Sequence, residues 1–141
     1  MKTLLSLIFV LLLSSAAYSQ TIFGKWNSFD EDTKKIESVI EVYKKNGKAY
    51  ARILEITDPE RRDATCISCK GKRKNQRILG MDILSGLTKD DDEWSGGKIL
   101  DPKNGKEYKC YIKLLDANTL KLRGYVGFSM FGRTAIWKRA K

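Results

Sequence analysis

The sequence predicts an all-β protein: a single up-and-down antiparallel β-barrel of about eight strands, placed after an N-terminal signal peptide. Three observations carry the prediction. Short segments alternate apolar and polar residues in period two, with Val and Ile recurring and Tyr and Phe in several. Turn-forming residues punctuate them, and no long helical pattern competes. Eight short antiparallel strands would also leave exposed sheet edges, and curling the sheet shut removes them. A two-sheet sandwich is the competing architecture.

The first element is the leader. Lys2 supplies a positive start, and Leu4 to Leu13 (LLSLIFVLLL) is a nearly unbroken apolar run. SSAAYS follows, with the small residues Ala17 and Ser19 at the −3 and −1 positions of a cleavage site. The apolar run is too short to cross ~30 Å of hydrocarbon. No Cys directly follows Ser19, so no lipid anchor is expected. Residues 1–19 therefore read as a signal peptide and 20–141 as one domain. The mature chain of 122 residues carries +9, against +10 for the full sequence. It holds no second apolar stretch of membrane length and is expected to be periplasmic or secreted, where disulfides persist.

The strands are expected near 22–29, 36–44, 48–57, 79–87, 94–100, 106–115, 119–126 and 132–139. Alternation is cleanest in three. Tyr108, Cys110, Ile112 and Leu114 oppose Lys109, Tyr111 and Lys113. Leu120, Leu122, Gly124 and Val126 oppose Lys121, Arg123 and Tyr125. Ile36, Ser38, Ile40 and Val42 share the third such face. Asn46-Gly47 is a type I′ hairpin signal, because both central residues need positive φ. Asn104-Gly105 and Asp116-Ala117-Asn118 mark further turns. One connection, 58–78, is long enough to hold a short helical turn.

Gly24-Lys25-Trp26 on the first strand and Trp137-Lys138-Arg139 on the last resemble the calycin pattern of lipocalins and fatty-acid-binding proteins. That resemblance implies that Arg139 packs on Trp26 and closes one end of the barrel, with Gly24 beside them. A wider set of elements covers nearly the whole mature chain: GKW at 24–26, IESVIEVY at 36–43, NGKAYARI at 46–53, CISCKG at 66–71, ILGMDILSGL at 78–87, WSGGKILDPKNGKEY at 94–108, LKLRGYVG at 120–127 and GRTAIWKR at 132–139. In order and spacing these resemble the bacterial family known as domain of unknown function 2147. The resemblance implies a small exported calycin-like barrel and names no reaction.

Composition excludes much chemistry. With no His in 141 residues, no Ser-His-Asp or Cys-His machinery and no His-containing zinc site can be built. Cys66-Ile67-Ser68-Cys69 beside Lys70, Lys72, Arg73 and Lys74 reads as a structural disulfide pinning the long loop. A thiol–disulfide exchange site is the alternative. Cys110 reads as a buried free thiol, with a bond to Cys66 or Cys69 as the alternative. The acidic run Asp90 to Glu93 lacks the spacing of a calcium loop and reads as a solvated turn. Glu37 and Glu41, on one face of the second strand with Val39 between them, face water rather than the lumen.

No metal, cofactor or catalytic residue is expected. The best reading is a binding protein, not an enzyme. It takes a small hydrophobic or amphipathic ligand against Ile40, Val42, Tyr108, Ile112, Leu114, Leu120 and Leu122. The alternative is an envelope interaction protein that contacts anionic material through Lys70, Lys72, Arg73, Lys74 and Arg77. No aromatic residue interleaves that run, so nucleic acid is not an expected partner.

Overall fold

A computed structural model describes residues 20–141, so the expected leader lies outside the described residues. Eight antiparallel strands form a closed barrel in chain order. They are β1 (Gly24–Phe29), β2 (Ile36–Lys45), β3 (Lys48–Ile56), β4 (Asp82–Asp90), β5 (Glu93–Asp101), β6 (Lys106–Asp116), β7 (Thr119–Tyr125) and β8 (Gly132–Arg139). The barrel rather than the sandwich is the outcome, and every expected strand lies within a few residues of an observed one.

The period-two pattern explains the faces. Along β2, Ser38, Ile40 and Val42 are buried while Glu37, Val39 and Glu41 are partly exposed. Asn46 and Gly47 take φ of 51° and 76°, as the β2–β3 hairpin requires. The β1–β8 seam is the shortest pairing, with only Trp26↔Arg139 and Asn27↔Lys138 in register.

Alternate turns lie at opposite ends. The β2–β3, β4–β5 and β6–β7 turns gather with both described chain ends at one end. The β1–β2, β3–β4, β5–β6 and β7–β8 connections surround the other, the mouth. The core fills the first end, with Trp26, Val42, Leu84, Leu87, Cys110, Ile112 and Leu120 all essentially inaccessible.

The long β3–β4 connection is folded. It contains two 3₁₀ turns, Pro59–Arg61 and Gly71–Arg73. Between them Thr65 bridges Arg77, and Ile78 N donates to Ala64 O at 3.0 Å. The loop rests on the β5–β6 turn. There Gly105, at φ 71°, brings its α-carbon against the Ser68 carbonyl, and any added Cβ would collide with it.

Candidate functional site

A cavity of about 630 Å³ opens at the mouth. Its inner wall is aliphatic, including Ile53, Ile56, Ile83, Ile99 and Leu122 from the strands, with Ala64 and Ile78 from the long loop. Trp137, two positions before Arg139, also lines it. The half-barrel is hollow because small residues point into it: Ser28, Ser38, Gly124 and Ala135. An eight-stranded barrel has an interior that large side chains just fill, so four small ones leave room for a ligand.

Two polar zones meet this wall. Inside, the buried Ser28 and Ser38 hydroxyls lie 2.5 Å apart on neighbouring strands, and either can donate to the other. At the rim, Glu37 pairs with Lys103 at 2.5 Å and Arg61 at 3.5 Å. β2 and the β5–β6 turn are not ring neighbours, so the Lys103 pair reaches across the opening. Arg133 pairs with Glu31. Asp30 accepts from the Thr33 and Asp32 backbone N–H groups, and the Thr33 bond above all holds its carboxyl below the usual value. A molecule with an apolar body and a polar end matches this distribution.

The opposite end is sealed. The Arg139 guanidinium carbon sits 4.2 Å from the Trp26 ring centroid. Its nitrogens donate to Ala117 O (2.8 Å), Phe23 O (3.1 Å) and Thr21 O (2.8 Å), tying the end of β8 to the β6–β7 turn and to the segment just before β1. Trp26 Nε1 donates to Ile22 O at 2.8 Å, so the buried indole is satisfied.

A family model described as "Uncharacterized protein conserved in bacteria (DUF2147)" matches residues 24–139, from the start of β1 to the end of β8. The chain belongs to this family. No curated protein matches it. Among solved structures it is similar to protein HP1028 from the human pathogen Helicobacter pylori, described as belonging to the lipocalin family. The TM-score is 0.77 at 23% identity, covering 87% of this chain and 85% of that one. The likeness establishes a lipocalin-like fold for this DUF2147 member.

The expected lumen residues divide by depth. Tyr108 and Leu122 line the cavity. Ile40, Val42, Ile112 and Leu120 are buried in the core without lining the cavity, and Leu114 packs against that core half-buried. Their side chains are not part of the cavity wall: period two reports which face a residue is on, not how far along the barrel it sits. The wall residues missed were in the halves of the strands adjoining the mouth, the C-terminal half of odd strands and the N-terminal half of even ones. Strand direction combined with parity would have found Ile53 and Ile83, whereas the bulge between Trp94 and Gly97 takes Ile99 off the parity of Trp94.

Cys66 and Cys69 form the disulfide, with Cα atoms 5.3 Å apart, and both are buried. Cys66 Sγ lies 3.5 Å from Pro102 O, so the bridge is wedged against the β5–β6 turn and shielded from an attacking thiolate. Cys110 is free and buried, and burial pushes its thiol up to about 12. In the basic run, Arg73 pairs with Glu107 at 3.0 Å and Arg77 with Asp63 at 2.9 Å. Lys70, Lys72 and Lys74 are exposed, with no ion pair among the described residues. Asp91 and Asp92 form the β4–β5 turn, and Asp92 pairs with Lys113 at 2.9 Å. Glu41 lies on the outer face, where Arg52 holds it at 2.6 Å. Glu37 departs from expectation, because its position at the start of β2 puts it on the cavity rim.

Proposed function

We propose that this protein is an exported binding barrel that carries one small apolar or amphipathic molecule, tail inward, in its mouth cavity. The observation that carries the reading is the aliphatic wall around about 630 Å³, a volume within the usual range for small-molecule sites. At roughly 30 Å³ per water-sized group, it holds on the order of 20 heavy atoms. Ser28 and Ser38 offer a hydroxyl inside, and the rim ion pairs suit a polar head. The outer faces carry Lys25, Arg52, Lys109 and Lys138, all exposed, the reverse of the apolar band of a lipid-embedded barrel. The role is binding, not catalysis. Export follows from the leader at 1–19.

The test is a titration of the purified mature chain with a fluorescent fatty-acid probe. Saturable one-to-one binding, displaced by unlabelled fatty acid, is expected. Absence of saturable binding overturns the reading. Mass spectrometry of the protein recovered outside the cytoplasm should give a chain beginning at Gln20.

A second reading rests on the free Lys70, Lys72 and Lys74: contact with anionic envelope material. Lys72→Glu with Lys74→Glu should then abolish retention on that material, and unchanged retention counts against it.

A further inference from the structure

We infer that the mouth of the barrel docks on an anionic phospholipid bilayer, with the β7–β8 loop inserting as an apolar prong. The inference rests on the cavity reading for its purpose, exchange of ligand with the membrane, but on different residues. Val126, Phe128, Met130 and Phe131 are 70%, 76%, 74% and 68% exposed, within a six-residue loop. Phe side chains open to this degree next to a cavity call for an apolar partner.

The loop is braced. Arg123 reaches over from β7 and donates to Ser129 O at 2.7 Å, Met130 O at 3.2 Å and Thr134 Oγ1 at 2.8 Å. Phe131 N donates to Phe128 O at 3.0 Å. The carbonyls are thus occupied by an arginine on the barrel side, while the side chains are turned out. Of the four, Val126 and Phe131 also line the cavity. An apolar path runs from the tip of the prong to the wall.

Charge around the prong selects the surface. The mouth segments 30–35, 57–81, 101–106 and 126–133 carry twelve Lys or Arg against seven Asp or Glu. Lys70, Lys72 and Lys74 are free to meet phosphate. Basic residues flanking exposed aromatic and aliphatic side chains are the pattern of an interfacial anchor, in which apolar insertion and attraction to anionic lipid act together. A protein partner fits less well. One six-residue loop falls well short of the roughly 800 Å² that each side of a standard protein interface buries.

The experiment uses the mature chain and two sets of vesicles, phosphatidylcholine alone and phosphatidylcholine with phosphatidylglycerol. Phe128→Trp places a reporter at the tip. A blue shift and quenching by brominated lipid are expected with the anionic vesicles, weakening with salt. Phe128→Asn with Met130→Asn, two residues outside the cavity wall, should reduce vesicle binding at least tenfold and leave probe binding in lipid-free solution unchanged. Lys72→Glu with Lys74→Glu should reduce it severalfold at low salt. Equal binding to both vesicle types overturns the proposal, as does binding untouched by the loop variant. So does a loop variant whose main effect is to convert a dimer to a monomer, which would assign the prong to a second copy of this chain. Vesicle binding without any probe binding would refute the cavity reading and leave the docking intact.

Discussion

Gly124→Leu should close the cavity without unfolding the barrel. A Cβ built on Gly124 meets only Ile99 Cγ2 and Tyr108 Cβ, each at 3.7 Å, an ordinary contact. Its φ is not among the positive ones, so a side chain costs no backbone strain. Four added carbons occupy about 120 Å³ at roughly 30 Å³ per group, about a fifth of the cavity of about 630 Å³. They displace about four methylenes of a ligand that fills the lumen. At ~0.8 kcal/mol for each buried methylene the loss is about 3 kcal/mol, on the order of a hundredfold in Kd. Stability should hold or rise, because Gly inside a strand is worse than Ala by roughly 0.5–1 kcal/mol. The assay is a series of fatty acids of increasing length against both proteins, with thermal melts alongside. The parent should tighten about fourfold per added carbon until the lumen is full, and Gly124→Leu should reach its plateau about four carbons sooner. An unchanged plateau in a folded variant would refute the placement of the ligand.

Arg139→Ala should cost about 3 kcal/mol in urea denaturation, since three charge-assisted bonds and the Trp26 stacking go together; a loss below about 1 kcal/mol would show that the seam closes without it. Reducing the Cys66–Cys69 bond should cost about 2 kcal/mol, from the loop entropy of a four-residue ring, and leave the barrel folded by circular dichroism. Cys110 should resist thiol reagents at neutral pH until the chain unfolds. Burial raises its folded pKa from 9.0 to about 12, so the unfolded chain loses the proton first. The contribution is whole below pH 9 and declines as pH rises toward 12, and Cys110→Ala should remove that part of the alkaline loss.

Local signals made much of the fold legible. Alternation marked the inward faces, Asn46-Gly47 marked a hairpin, and a two-strand signature of Gly24, Trp26 and Arg139 pointed to the sealed end. The first two are read over a handful of residues, where sterics and period-two geometry decide the outcome; the third is implied by the resemblance to the calycin pattern. The cavity was less legible. Val42 and Ile56 both face inward, yet Val42, opposite Ala51, lies in the packed core, while Ile56, near Ser38, lines the cavity. The β7–β8 loop gave no warning either, since Val126 appeared to continue an inward face and is instead 70% exposed beyond the strand end.

The chain itself determined that strands form, which side of each is apolar, and that the Cys66–Cys69 pair sits in a long cationic loop. Only the tertiary structure decided which half of the interior is packed and which is hollow, that Glu37 reaches the rim to meet Lys103, and that four apolar side chains stand unpartnered beside the opening. The physical reason is that periodicity specifies an angle around a strand. Depth along the barrel and contact across its mouth depend on register and on segments far apart in the chain.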